Sequence, residues 1–253
     1  MKCVINPKHL LLKSLIENIE QHFQTSTEIL YDKRNQIKVV TYKGQDYVVK
    51  SFKVPNAINR FVYRFLRPSK AKRSFVYSLK LGNQYCPEAI AYVEEYDGLL
   101  LTKSYFISKH YDYDFTIRSV LLDKTFDQQK RQQVLSELAD FAYSLHENGI
   151  LHNDFSYGNV LIKELGEVQR KDKSNHFQFR IIDVNRMQLK ELSLDERLNN
   201  FARLTADDDA MDILIARYAE LIQKPFKETL LKAKYFRDEF KRKKALKKKL
   251  RGR

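Results

Sequence analysis

Along the first quarter of the chain the apolar residues change period. Leu11, Leu12, Leu15, Ile16, Ile19 and Phe23 recur every three or four residues and predict one face of an amphipathic helix. From Thr27 the repeat shortens to two, and TEILYDKRNQIKVVTYKGQDYVVKSFK reads as three strands joined by turns at DKRNQ and KGQD. In the third strand Val48, Lys50 and Phe52 fall on a common face, which sets Lys50 among apolar neighbours. Ser69 then caps a helix over KAKRSFVYSLKL that stops at Gly82, and AIAYVEEYDGLLLTKSYF turns at Asp97-Gly98 between two more strands.

Beyond residue 111 helical periodicity takes over. A long helix is expected from about Phe126 to Asn148, stopped by Gly149. It is followed by a strand NVLIK at 159–163, a polar loop GEVQRKDKSN, and a strand FQFRIIDV at 177–184 with Asp183 at its end. SLDERLNNFARL and TADDDAMDILIARYAELI each open with a capping box, Ser193 to Glu196 and Thr205 to Asp208. The pattern divides the chain into a β-rich N-lobe at 1–110, holding an N-terminal helix, a sheet and one further helix, then a helical C-lobe at 111–231 and a tail at 232–253.

Composition supports a packed core over most of this length. Of 253 residues 43% are hydrophobic and 12% aromatic, with only 7 Gly and 5 Pro, so disorder is not the default. Cys3 and Cys86 are too few for a disulfide framework and match no metal-ligand spacing, which suits a reducing cytoplasm. The amino terminus lacks a signal-peptide pattern, and charges interrupt every apolar stretch well short of a membrane span.

Charge changes the picture. The formal net charge is +14, and the excess is concentrated in two places. Residues 50–80 hold nine basic residues and no acidic one, and residues 232–253 hold twelve basic and two acidic, so the remainder is mildly negative. A Lys- and Arg-rich tail gains on the order of 1 kcal/mol per residue beside an anionic bilayer, enough in sum for peripheral contact with a membrane surface. Such a tail would also suit a phosphate backbone.

The densest polar chemistry is LHNDFSYGNV at 151–160. His152, Asp154 and Asn159 stand as H-x-D-x-x-x-x-N on a loop between a long helix and a strand, and Asp183 ends the next strand. That order matches the catalytic apparatus of protein-kinase-like folds, in which the first Asp accepts the hydroxyl proton while the Asn and the second Asp bind magnesium. A base must reach the acceptor hydroxyl while Asn159, five residues on, turns back towards metal-bound phosphate. The strand lysine that holds the ATP phosphates in such folds has its counterpart in Lys50. A nucleic-acid-binding chain would not need this ordered set, so nucleic acid is disfavoured as the partner.

Four segments, VVKSFKVPNAINRFVYRFLRPSKAKRSF, LTKSYFIS, LHNDFSYGNVLI and FRIIDVNRM, resemble in order those of the bacterial lipopolysaccharide core kinases of the Kdo/WaaP family. The resemblance runs from about Ile29 to Tyr218. It implies an α+β, two-lobed protein-kinase-like fold with a small β-rich N-lobe and a larger helical C-lobe. It implies ATP-dependent, Mg2+-assisted phosphorylation of a Kdo or heptose hydroxyl in the lipopolysaccharide inner core, at the cytoplasmic face of the inner membrane. Asp154 is then the catalytic base, and Lys50, Asn159 and Asp183 bind the nucleotide, the last two through the metal. The partner would be lipopolysaccharide or a lipid A-core precursor, whose anionic groups suit the basic stretch at Arg60, Arg64, Arg67 and Lys70.

The chain departs from protein kinases in several places. No glycine-rich phosphate loop is present, Asn153 replaces the usual Arg, and Asp183 is followed by Val184 and Asn185 rather than Phe and Gly. Ser156 stands where Ser/Thr protein kinases place a Lys, which favours a sugar acceptor over the alternative of an atypical protein Ser/Thr kinase. No acid lies between Asp46 and Glu88 to pair with Lys50, and Val76 stands where one is expected, the feature that would mark a non-catalytic kinase-like binding protein.

Overall fold

Six strands form one antiparallel sheet: β1 (Lys2–Ile5), β2 (Ile29–Asp32), β3 (Asn35–Tyr42), β4 (Gln45–Phe52), β5 (Ala89–Asp97) and β6 (Leu100–Lys109). They lie in the order β1-β5-β6-β4-β3-β2. The computed structural model describes residues 1–33, 35–53, 68–169, 175–204 and 206–250, and its chain divides into two compact units, Met1–Tyr111 and Asp112–Arg253. Lys43 (φ 50°) and Gly44 (φ 75°) make the two-residue connection of β3 to β4, the left-handed pair that matches the twist of a hairpin.

One sheet face packs Val40, Tyr47, Val49, Val93, Tyr105 and Ile107 against Leu15 and Ile16 of α1 (Lys13–Glu17) and Ile19 and Phe23 of α2 (Ile19–Thr25). On the opposite face Phe52 and Tyr92 meet Ala71 and Phe75 of α3 (Lys70–Leu81). The Ser69 side chain caps α3 by accepting from the Lys72 N–H at 3.0 Å, and Gly82, at φ 71°, ends it, as the sequence predicts.

The amino-terminal helix is more broken than its periodicity suggests. Pro7–Leu12 form a 3-10 turn, and Asn18 interrupts the chain between α1 and α2, donating its Nδ2 to the Ser14 carbonyl at 2.9 Å. The shift of phase leaves Leu11 94% exposed instead of on the buried face.

The second unit is organised around α5 (Gln128–Glu147), capped by Asp127. Its stripe of Val134, Leu135, Leu138, Ala139, Ala142 and Leu145 is fully buried, and α7 (Asp208–Leu221) contributes Met211, Leu214, Ile215 and Tyr218 to the core. Each large side chain so buried contributes about 1.5–3 kcal/mol. Strands β9 (Val160–Glu164) and β10 (Phe177–Ile181) form a hairpin to which β7 (Phe115–Thr116) adds, and β8 (Ile150–His152) pairs with β11 (Met187–Leu189). Helices α4 (Ile117–Leu122), α6 (Leu194–Phe201) and α8 (Phe226–Leu250) complete the unit. The basic segment from Lys232 thus continues a helix whose Thr229, Ala233 and Arg237 are buried.

Two boundaries differ from the sequence reading. α7 is capped by Asp207, whose carboxylate accepts from the Ala210 N–H at 2.8 Å, while Thr205 lies outside the described residues. Strand β10 ends at Ile181, so Asp183 stands beyond it in a turn rather than at its last position. The capping box of α6, Ser193 with Glu196, is formed as expected. Gly149 joins α5 to β8 at φ 66°, and a Cβ there would lie 2.7 Å from the Lys190 carbonyl oxygen, so the position admits only glycine.

Candidate active site

The loop between β8 and β9 is held at both ends by the strands that follow it. His152 is in register with Met187, and Val160 with Ile181, so residues 182–186 run alongside the loop. The Ile182 N–H donates to the Asn159 carbonyl at 3.0 Å. His152 links the same segments through its ring: Nδ1 accepts from the Asp154 N–H at 3.0 Å, and Nε2–H donates to the Ile182 carbonyl at 2.9 Å. That bonding requires the neutral imidazole. Burial drives its pKa below the ordinary histidine value, against the opposing pull of the Ile182 carbonyl and of the Asp154 and Asp183 carboxylates.

A buried polar chain supports this histidine from behind. The Asn200 Nδ2 donates to the His152 carbonyl at 2.9 Å, the His146 Nε2–H donates to Asn200 Oδ1 at 3.1 Å, and the Tyr218 hydroxyl donates to His146 Nδ1 at 2.7 Å. Every donor has an acceptor, so the network can be buried without orphaned groups. Burial pushes the His146 pKa down to about 4 and raises that of Tyr218. No local motif announces these residues, because Asn200 and Tyr218 lie 54 and 72 positions from His146.

Asp154, Asn159 and Asp183 are brought together on this frame. Asn159 donates its Nδ2 to the Asp154 carbonyl at 2.9 Å and its N–H to the Ser156 carbonyl at 2.9 Å, which leaves Oδ1 as the end able to ligate a cation. Asp183 adopts φ 59° and ψ 43°, a left-handed conformation that Asp tolerates better than most residues, and its Oδ1 accepts from the Asn185 Nδ2. Asn153, which stands where protein kinases have Arg, is engaged with the segment beyond Asp183. Its Nδ2 donates to the Arg186 carbonyl at 2.6 Å and so ties the two strand ends. Among the described residues there is no group of three or more His, Cys, Asp and Glu able to hold a metal by itself. Asn and Asp oxygens suit a hard divalent ion whose remaining ligands are phosphate and water.

Lys50 belongs to the other unit. It is half-buried in β4, in register with Ile37 on one side and Phe106 on the other, and its Nζ lies 5.3 Å from the centre of the Phe52 ring. Val76 packs into the apolar cluster of Phe52, Phe75 and Tyr92 and supplies no acid there. An acid does occupy this face of the sheet: Glu94, 3% exposed, follows Tyr92 by two residues in β5, and Tyr92 pairs with Phe106. Glu94 accepts a hydrogen bond from the Tyr96 hydroxyl at 2.9 Å. Lys70 is the first residue of α3, and Arg60, Arg64 and Arg67 lie outside the described residues.

The family model described as "Lipopolysaccharide kinase (Kdo/WaaP) family" matches residues 83–224, more than half of the chain. The matched stretch takes in α5, the loop with Asp154 and Asn159, and Asp183, but neither Lys50 nor the basic end of α8. A solved structure described as "WaaP in complex with acyl carrier protein" is similar in fold, with a TM-score of 0.61 at 15% identity, covering 96% of this chain and 98% of that one. No curated protein matches the chain. The fold is α+β and protein-kinase-like, with a β-rich unit and a helical unit.

Proposed function

The chain belongs to the lipopolysaccharide kinase (Kdo/WaaP) family, and from that premise we propose that it transfers the γ-phosphoryl group of ATP to a Kdo or heptose hydroxyl of the lipopolysaccharide inner core. The observation that carries this reading is the His152 ring. It binds the Asp154 amide on one side and the Ile182 carbonyl on the other, and so fixes Asp154 and the residue preceding Asp183 on one buried group.

In this mechanism the acceptor oxygen attacks the γ-phosphorus while its proton passes to the Asp154 carboxylate, and the bond from phosphorus to the bridging oxygen breaks with its electron pair leaving on ADP. Asn159 and Asp183 would hold Mg2+, which supplies charge neutralisation on the phosphate oxygens. Lys50 would bind the phosphates from its strand. Asn159 is preset for this role because its amide nitrogen is already committed to the Asp154 carbonyl.

The lipid-borne acceptor gives the basic end of α8 a use. Residues 241–250 are all exposed and rich in Lys, which suits peripheral contact with an anionic bilayer at the cytoplasmic face of the inner membrane. Among the described residues no helix is long and apolar enough to cross a membrane. The deciding experiment incubates the purified protein with labelled ATP, Mg2+ and dephosphorylated lipid A bearing its core sugar, beside Asp154→Ala. Label on the sugar with wild type alone supports the reading, and label with both proteins, or with neither, overturns it.

A further inference from the structure

The loop at residues 151–159 contains no Lys or Arg, yet a guanidinium stands beside its aspartate. Arg203, in the 3-10 turn Ala202–Leu204 that follows α6, donates from Nη1 to Asp154 Oδ1 at 3.3 Å. Its flanking residues Ala202 and Leu204 are each 1% exposed, so the backbone that carries it is fixed in the core. The side chain itself is 41% exposed, and its guanidinium carbon lies 5.2 Å from the centre of the Phe240 ring of α8. Arg203 is therefore anchored below, braced on one side by an aromatic face, and directed at the carboxylate read as the base.

The contact with Asp154 is a poor explanation of the residue's presence. It is a single long hydrogen bond, not the two-pronged pairing that Arg makes with carboxylates in stable ion pairs. An ion pair this exposed contributes little to stability. One donor is used, and among the described residues the others make no hydrogen bond, so they are available to an oxyanion arriving next to Asp154.

Resting on the kinase reading above, we propose that Arg203 binds an oxyanion of the bound substrates beside Asp154, supplying from α6's end the positive charge that position 156 lacks. Two sources share this chemistry, the phosphoryl group in transit and a carboxylate on the acceptor sugar. Arg suits both, because its planar fork matches either group and holds its charge at any physiological pH. The sequence hides the role, since Arg203 lies 49 positions from Asp154.

The test measures kcat and both KM values for full-length wild type, Arg203→Gln and Arg203→Lys, with labelled ATP, Mg2+ and a dephosphorylated lipid A acceptor bearing Kdo, alongside thermal midpoints. Arg203→Gln is expected to lose about 10- to 100-fold in kcat/KM, the scale of a charge-assisted hydrogen bond, at an unchanged midpoint, with Arg203→Lys recovering part of the loss. A loss in kcat that persists when the acceptor carboxylates are converted to methyl amides assigns the phosphoryl group. A loss in acceptor KM that vanishes with the methyl amides assigns the carboxylate. If wild type transfers phosphate and Arg203→Gln stays within twofold of it in every constant, or fails only through a lowered midpoint, the proposal is wrong and the kinase reading stands. If wild type transfers no phosphate, both fall together.

Discussion

The His152 imidazole and the Ile182 carbonyl, 30 residues apart in sequence, are joined by a 2.9 Å hydrogen bond within the unit that holds Asp154, Asn159 and Asp183. Because Nδ1 of the same ring accepts from the Asp154 N–H, the histidine acts as a spacer between the loop and the turn. His152→Leu keeps the bulk but leaves a part-buried donor, the Asp154 N–H, and a part-buried acceptor, the Ile182 carbonyl, without their partner, at a cost of about 1 kcal/mol for each. We expect a lower thermal midpoint together with a fall in phosphate transfer, measured on the same preparation. A variant that unfolds like wild type would show that the two hydrogen bonds do not hold the loop.

The neutral histidines make stability depend on pH in a definite direction. His146 is pushed from 6.5 to about 4 by burial, so between these values the unfolded chain binds a proton that the folded chain refuses. Its contribution is whole above about pH 6.5 and is lost as pH falls towards 4. For His146 alone the loss between pH 7 and pH 5 is about 2 kcal/mol. Buried His152, shifted the same way, adds to it. Urea unfolding at the two pH values should show this decline, and His146→Gln should make it shallower. An equal decline in that variant would place the proton uptake elsewhere.

Asp183 combines an unusual backbone conformation with a charge, and the two can be separated. Asn shares the tolerance for φ near 59° but carries no charge. Asp183→Asn should therefore fold with an unchanged midpoint and lose phosphate transfer by about 100-fold or more, the scale of removing a group that stabilises developing charge. Asp183→Val, whose branched side chain opposes the left-handed region, should lose about 1–2 kcal/mol of stability besides. Turnover near the wild-type rate in Asp183→Asn would rule out a metal-binding role.

What could be read in the sequence is what local chemistry determines. Ser69, Gly82, Lys43-Gly44 and the Ser193–Glu196 box mark element ends by their own hydrogen bonds and dihedral angles, and all are realised. Asp154 and Asn159 are legible because one loop carries both at fixed spacing. The short pairs escape: β8 and β11 have three residues each, too few for a period to show, and they exist because the chain at 187–189 returns to them. Asn200, Tyr218 and Arg203 escape for the same reason, since their partners are set by tertiary packing. Leu11 misled because a periodic pattern does not reveal that Pro7–Leu12 will wind as a 3-10 turn instead of extending α1, whereas Leu12 still packs against the core.

The division of labour along α8 allows a deletion that spares the fold. Its buried residues, Thr229, Ala233 and Arg237, all precede position 241, and Arg237 binds Asp208 at 2.6 Å and the Ala206 carbonyl at 3.3 Å. From Lys241 to Leu250 every residue is exposed. Removing residues 241–253 deletes nine basic residues while leaving this anchor and Phe240, the ring beneath Arg203, in place. With each Lys or Arg worth about 1 kcal/mol near an anionic surface, binding to vesicles containing acidic lipid should fall steeply. The wild-type protein should lose its binding as salt rises, because these charges are screened over about 10 Å at 0.1 M. Thermal stability should be unchanged, and transfer to a water-soluble core-sugar acceptor should survive where transfer to membrane-borne acceptor declines. Equal vesicle binding by the truncated and full-length proteins would show instead that the basic end is a solvated extension with no part in reaching the lipid.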